Sequence, residues 1–99
     1  DLYQLTMAYG YWAAGRAEEH AAFHLYFRNA PFGGGYAVAC GLDAAADWLA
    51  HFRFADDELA YLATLTGADD RPLFPRPFLD HLAGLRLALD VEMVAEGTV

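Results

Sequence analysis

The spacing of apolar residues changes along the chain, and this change constrains the fold more than any other feature. Near the start, apolar residues recur at helical intervals: Leu2, Leu5, Tyr9 and Trp12. Such spacing predicts a helix with one apolar face. Over residues 20–29 the period becomes two, which is typical of a strand with an apolar and a polar face. The same alternation over residues 87–93 predicts a second one-sided strand.

Capping and turn residues mark the other predicted elements. Asp1 is a suitable cap for the first helix, and Gly15 is a natural stop. Residues 36–40 predict a short strand, and three further helices are predicted: after Gly41, from residue 56, and at Pro77. The order helix, strand, strand, helix, helix, helix, strand predicts an α+β domain with a mostly antiparallel sheet.

Charge and composition exclude several functional classes. The formal charge is -8, and the six basic residues are scattered arginines without a single lysine. Nucleic-acid binding through a basic surface is therefore not expected, whereas one or two arginines still suffice for an anionic small molecule. No apolar run approaches the roughly 20 residues that span a membrane. The single cysteine, Cys40, excludes an internal disulfide, and we predict a cytoplasmic protein.

Three other features have a structural interpretation that is simpler than a functional one. The glycines at 33–35 precede a predicted strand, whereas a phosphate-binding loop would need a helix to follow. His20 and His24 have a spacing that suits a metal, but no third ligand accompanies them. Cys40 has no neighbour in the sequence that would activate its thiol, so a buried structural thiol is expected. We predict no metal site and no catalytic residue in this chain.

Tyr3 and Arg28 are the two candidate binding residues. Tyr3 lies in the first helical turn, off the main apolar face, where an aromatic ring could stack on a flat ligand. Arg28 ends a predicted strand on its polar face, where a guanidinium could bind a phosphate or a carboxylate. Chemistry alone leaves core packing open for Tyr3 and a surface ion pair open for Arg28.

Several segments resemble the N-terminal part of nicotinate phosphoribosyltransferases. They follow the same order as in that family and cover essentially the whole chain. These segments are Asp-Leu-Tyr-Gln-Leu-Thr-Met at 1–7, Phe-Arg-Asn-Ala-Pro-Phe-Gly-Gly at 27–34, Tyr-Ala-Val-Ala-Cys-Gly-Leu at 36–42, the Phe-Leu-x-x-Leu-x-x-Leu helix at 78–85, and Glu-Gly-Thr-Val at 96–99. Ala95 replaces the proline that usually precedes the last segment.

The resemblance implies a fold and an activity for a longer protein. Residues 1–99 would be an N-terminal domain fragment with helices and an antiparallel sheet, which normally precedes an irregular α/β barrel that is absent here. Enzymes of this family join nicotinate to phosphoribosyl pyrophosphate and make nicotinate mononucleotide in NAD salvage. They couple the reaction to ATP hydrolysis through a phosphorylated histidine of the barrel, with Mg²⁺, and they are typically homodimers.

The resemblance also assigns roles to the two candidate residues. Tyr3 matches the tyrosine that stacks on the pyridine ring, in the site of the partner subunit, and Arg28 matches a position that reaches phosphates of the sugar substrate. The fragment alone is expected to be inactive. Two alternatives stay open: a non-catalytic interaction or dimerisation module, and a segment of a nicotinamide phosphoribosyltransferase.

Overall fold

The computed structural model describes all 99 residues and contains four α-helices and one 3₁₀ turn. These elements are α1 (Leu2–Ala13), the 3₁₀ turn (Pro31–Gly33), α2 (Leu42–His51), α3 (Asp56–Thr64) and α4 (Arg76–Gly84). The chain divides into two compact units. The first unit contains Asp1–Ala21 and Arg53–Leu85, and the second contains Ala22–Phe52 and Arg86–Val99.

The capping residues of α1 confirm the predicted first helix. The Asp1 carboxylate accepts a hydrogen bond from the Tyr3 backbone N–H at 3.0 Å, which pairs one of the N–H groups that a helix start leaves open. The helix ends just before Gly15, whose φ of 71° lies in the left-handed region that glycine adopts without strain. Local chemistry therefore sets both ends of α1.

The starts of α3 and α4 also follow from local chemistry. The first turn of α3 carries three acidic residues, which the helix dipole favours at this end. Glu58 accepts a hydrogen bond from the Ala55 backbone N–H at 2.8 Å, which is one half of a capping box. The alanine side chain cannot supply the other half, and the Glu58 N–H donates to the Asp57 carboxylate at 3.0 Å instead. In α4 the prolines at 75 and 77 occupy positions that need no intrahelical N–H donor. All three predicted later helices are confirmed.

The hydrophobic core lies entirely within the first unit. Five side chains are buried: Leu62, Phe74, Phe78, Leu79 and Leu82. α3 packs against α4 here, and α1 adds Leu5, Tyr9 and Trp12 at the edge of the cluster. The loop between α3 and α4 closes with a Leu73 N–H to Leu65 C=O hydrogen bond of 2.8 Å. The apolar faces that the helical spacing predicted in α1, α3 and α4 thus pack together in one small core.

The predicted α+β class with an antiparallel sheet is wrong, because the structure is helical and contains no strand in any of the three predicted segments. Only an isolated bridge, between Thr66 and Pro72, resembles strand pairing. No backbone hydrogen bond joins residues 20–28 to another segment. Alternation favours extended backbone, but a strand needs a neighbour to pair with its N–H and C=O groups. Phe23 and Leu25 are accordingly 91% and 98% exposed.

The second unit has no buried side chain. Backbone hydrogen bonds join Ala39 to Gly97 and Thr98 near the end of the chain. α2 and the extended residues that follow Arg86 line one shallow groove, with Ala46, Leu49 and Ala50 on α2 and Leu87, Leu89 and Val91 opposite. The predicted helix after Gly41 is confirmed as α2. None of the helices in either unit combines the length and the apolar content that a membrane crossing requires.

Candidate functional site

Tyr3 lies on the exposed side of α1. Its side chain is 69% exposed, and Met7 and Tyr11 continue the same exposed stripe one and two turns later. No aromatic contact, ion or hydrogen bond engages the Tyr3 ring or hydroxyl. Core packing, the alternative interpretation of Tyr3, is thus not what the structure shows. The flat face of the ring is open to a ligand.

The opposite side of α1 fixes the direction in which Tyr3 points. Trp12 lies nine residues after Tyr3, which is about two and a half helical turns and therefore the other side of the helix. There the Trp12 ring lies 5.5 Å from Phe78, and the Tyr9 ring lies 5.2 Å from Phe78 and 6.2 Å from Phe74, between ring centroids. Because these contacts attach α1 to the core, Tyr3 is presented outward.

A groove beside the start of α1 has the wrong charge for the anionic substrates that the sequence implies. It has a volume of about 700 Å³ and an apolar floor that includes Leu5, Phe54 and Leu62. Asp1, Asp57 and Glu58 also line it, whereas no arginine does and Tyr3 does not. Carboxylates at this density repel a pyridine carboxylate or a phosphate. The groove is therefore not the site in which Tyr3 would meet its substrate.

Arg28 has a guanidinium without a partner. Three other arginines form ion pairs with acidic residues nearby in the sequence: Arg16 with Glu19, Arg71 with Asp69, and Arg76 with Asp80. Arg28 forms none, so the surface ion pair that was its alternative interpretation is absent. Arg53 is also exposed without an ion pair, so exposure alone does not single out Arg28. Tyr3 belongs to the first unit and Arg28 to the second.

The glycine cluster forms a turn and not a phosphate-binding loop. Phe32 and Gly33 both have left-handed backbone angles, with φ of 57° and 70°. The turn leads into extended residues, and no helix begins until Leu42. A phosphate site of the loop type needs the N–H groups of a helix start directly after the glycines. The Phe32 side chain is fully exposed at this turn.

The histidines do not converge with other ligands. No group of three or more His, Cys, Asp or Glu side chains lies close enough to hold a metal ion. His51 contacts the Asp47 backbone oxygen at 2.8 Å, and the His81 ring lies 6.1 Å from Trp12. His20 and His24 are exposed on the extended segment.

Glu96 holds the start of α2, and the sequence did not predict this contact. Its carboxylate oxygens accept hydrogen bonds from the backbone N–H groups of Gly41 at 2.7 Å and Leu42 at 2.8 Å. These bonds lower the pKa of Glu96, with smaller contributions from the Cys40 thiol and the Asp43 N–H. The prediction that Cys40 is buried is wrong, because its side chain is exposed here. The N-cap residue of α2, Gly41, has no side chain that could accept these hydrogen bonds. The glycine at this position is the one feature of the sequence that indicates an acceptor from another segment.

Replacing Glu96 by glutamine should weaken the start of α2 and remove its pH dependence. The folded pKa lies below the ordinary value, so the wild-type contact is complete above that value and is lost as the pH falls through the folded pKa. Hydrogen-exchange protection of the Gly41 and Leu42 amides is the measurement. Wild-type protection should be complete above the ordinary pKa of a glutamate, about 4.3, and should fall only at lower pH, whereas the variant should be weakly protected throughout.

Glu92→Gln is the matched control, because it removes one charge from the same segment at a side chain that does not bond to the start of α2. Its protection at Gly41 should equal that of the wild type. Equal protection in wild type and Glu96→Gln at pH 7 would show that the carboxylate does not stabilise α2.

Comparison with known proteins identifies the family. The profile described as the nicotinate phosphoribosyltransferase (NAPRTase) N-terminal domain matches residues 1–99. The chain is 41% identical over 100 residues to nicotinate phosphoribosyltransferase 1 of Arabidopsis thaliana and 42% identical over 100 residues to nicotinate phosphoribosyltransferase of Homo sapiens. It is 50% identical over 62 residues to the Bacillus subtilis (strain 168) enzyme of that name. No solved structure matches the chain significantly.

These matches cover all of this chain but only a small part of its relatives. The aligned region is 100% of the chain in the plant and human comparisons, and 17% and 18% of those relatives. In the Bacillus subtilis comparison it is 63% of the chain and 13% of the relative. The chain belongs to the nicotinate phosphoribosyltransferase N-terminal domain family. It spans less than one fifth of the length of the curated relatives that match it.

Proposed function

We propose that this chain is the N-terminal part of an enzyme that makes nicotinate mononucleotide from nicotinate and phosphoribosyl pyrophosphate in NAD salvage. The observation that carries the proposal is the family match over residues 1–99, together with relatives at 41% and 42% identity over the whole chain that bear this name. Neither the fold nor the comparisons favour a non-catalytic dimerisation module or the nicotinamide-specific alternative.

Within this enzyme Tyr3 stacks on the pyridine ring. The ring is flat, exposed and without a competing contact, and α1 is attached to the core by its opposite face. Stacking needs an accessible aromatic face, and the exposed Tyr3 ring supports the proposal by offering one. We further propose a homodimer in which the outward face of α1 meets the partner subunit, so that Tyr3 completes the partner's site.

Arg28 is proposed to bind phosphate oxygens of phosphoribosyl pyrophosphate. Its guanidinium has no carboxylate partner to displace, and its planar donors match two phosphate oxygens. The overall charge of -8 means that local arginines, and not a general positive field, must attract this substrate. Binding of the leaving pyrophosphate stabilises the negative charge that builds up on it.

ATP and Mg²⁺ are proposed to act through parts of the enzyme outside these 99 residues. The relatives are more than five times as long as the aligned region, and the acidic side chains of the chain form no metal-binding group. When bound, Mg²⁺ would neutralise phosphate charge. The enzyme would be cytoplasmic and, because ATP is consumed, would belong to the ligase class. Residues 1–99 alone would be inactive.

Product formation by the full-length protein tests this function. We expect nicotinate mononucleotide to form from nicotinate and phosphoribosyl pyrophosphate, and ATP to increase the rate. Nicotinamide should react at least about 100-fold more slowly, because an uncharged amide leaves groups built for a carboxylate unpaired. Preferred turnover of nicotinamide would identify the alternative substrate. A folded full-length protein that turns over neither compound would support the non-catalytic module.

A further inference from the structure

Side chains hold the first turn of α1 on both sides of Tyr3. The Asp1 carboxylate accepts a hydrogen bond from the Tyr3 N–H at 3.0 Å, and the Thr6 hydroxyl donates one to the Tyr3 C=O at 2.8 Å. The first backbone bond of the helix, from the Leu5 N–H to the Asp1 C=O, is 3.4 Å long. This exceeds the usual range of about 2.7–3.2 Å. Both side-chain bonds are therefore shorter than this first backbone bond.

The Tyr3 ring depends on this turn for its position. No other residue makes an aromatic contact with the ring or a hydrogen bond with its hydroxyl, and the side chain is mostly exposed. The core contacts of α1 begin at Leu5 and continue through Tyr9 and Trp12, so Tyr3 lies before the first of them. Helix starts fray where backbone bonds are weak. The backbone is therefore the only part of Tyr3 that neighbouring side chains hold in place.

We infer that Asp1 and Thr6 are positioning residues, which hold the backbone of Tyr3 so that its ring is preformed for stacking on the pyridine substrate. The inference rests on the proposed function of Tyr3. A frayed turn must be ordered when the substrate binds, and the free energy of this ordering subtracts from the affinity. A turn held in advance by Asp1 and Thr6 avoids that loss. Neither residue needs to touch the substrate.

A second threonine provides a matched comparison. In α3 the Thr64 hydroxyl donates to the Tyr61 C=O at 2.7 Å, which is the same bond over the same three-residue spacing to an exposed tyrosine. Such bonds are common within helices and carry no function by themselves. If Thr6 acts only on helix stability, removing either hydroxyl should have the same kind of effect. If Thr6 positions Tyr3, only its removal should change substrate binding.

The experiment measures nicotinate kinetics in the full-length protein with Thr6→Val, Thr6→Ser and Thr64→Val. Valine keeps the shape and the β-branch of threonine but removes the hydroxyl. We expect Thr6→Val to raise the KM for nicotinate about three- to fivefold, in the range of losing one helix-capping bond, with kcat nearly unchanged. Thr6→Ser should restore the wild-type KM, and Thr64→Val should retain it.

Asp1 gives a second, independent variant. Asp1→Ala should raise the KM for nicotinate to a similar extent, whereas Asp1→Asn keeps an acceptor for the Tyr3 N–H and should remain close to wild type. This pair keeps the test valid if Thr6→Val does not fold. A fall in thermal stability without a change in KM, in both Thr6→Val and Asp1→Ala, would overturn the inference.

The Tyr3→Ala background separates this inference from the function on which it rests. If Thr6 acts through the Tyr3 ring, Thr6→Val should raise KM in the wild type but not in Tyr3→Ala. An unchanged KM in Tyr3→Ala alone would reject the stacking role, and the inference would fall with it. A raised KM in Tyr3→Ala, with no change in Thr6→Val and Asp1→Ala, would reject only the positioning role.

Discussion

Replacing Phe78 by alanine should cost the first unit about 3–5 kcal/mol of its free energy of unfolding, as is usual for a buried phenylalanine. Phe78 is 1% exposed and is the most completely buried large side chain. Its ring contacts Tyr9, Trp12 and Phe74 at centroid distances of 5.2, 5.5 and 5.6 Å. Since small domains are stable by only about 5–15 kcal/mol, this loss should remove a large share of the free energy of unfolding.

The measurement is urea denaturation of the 99-residue chain, followed by tryptophan fluorescence and far-ultraviolet circular dichroism. Trp12 lies in the core contacts of Phe78 and reports their loss directly. Phe23→Ala is the matched control, because it makes the same replacement at a side chain that is 91% exposed. It should change the free energy of unfolding by less than about 0.5 kcal/mol. Equal losses in the two variants would contradict the core described here.

Phe78→Ala should also affect the candidate site, because Phe78 attaches α1, which carries Tyr3, to α4. Tyr9 and Trp12 contact Phe78 from the face of α1 that lies opposite Tyr3. When these contacts are lost, α1 keeps the ring contacts of Tyr9 with Phe74 and of Trp12 with His81, and a 12-residue helix is marginal in water by itself. Phe78 thus supports the direction of Tyr3 without lying near it.

The helices could be predicted from the sequence because their signals are local. The apolar spacing of Leu5, Tyr9 and Trp12 predicted the face of α1 that packs on the core. Asp1 at the start and Gly15 at the end predicted its limits. A helix forms its backbone hydrogen bonds within its own segment, so a short window of sequence contains the information that it needs.

The strands could not be predicted in the same way because pairing is not local. Residues 20–28 alternate as a strand would, yet no segment of the chain donates to or accepts from their backbone. Phe23 and Leu25 consequently remain exposed although their pattern indicates a buried face. Alternation shows which side chains share a face, but the partner that covers that face must come from elsewhere in the fold.

The candidate site was partly predictable, because some of its features are local in the sequence and others are long-range contacts. Helical geometry places Tyr3 opposite Trp12, so its exposure follows once the core face of α1 is known. The hydrogen bond from the Thr6 hydroxyl to the Tyr3 C=O was not predicted. Threonines within helices commonly bond to the backbone, so Thr6 did not stand out in the sequence. The contact from Glu96 to Gly41 and Leu42 was missed because it joins residues 54 and 55 positions apart.

Tyr3→Ala in the full-length protein should raise the KM for nicotinate about 10–100-fold, which is the range expected when an aromatic ring that stacks on a planar base is removed. The ring has no structural contact to lose, so the thermal stability should stay close to that of the wild type. Tyr3→Phe keeps the stacking face, and because the hydroxyl has no partner its KM should stay near the wild-type value.

Met7→Ala is the second control, because Met7 lies one turn further along the same exposed stripe of α1. If the stripe contributes only apolar area to a subunit contact, Met7→Ala and Tyr3→Ala should both weaken the dimer. The KM for nicotinate should then change in each variant in proportion to the weakening of its dimer. If Tyr3 stacks on the substrate, Met7→Ala should leave the KM for nicotinate unchanged while Tyr3→Ala raises it. Steady-state kinetics should be measured at a protein concentration well above the dissociation constant of the dimer. Under these conditions a change in KM reports on substrate binding and not on loss of the dimer. An unchanged KM in Tyr3→Ala under those conditions would remove Tyr3 from the substrate site and leave α1 with a purely structural role.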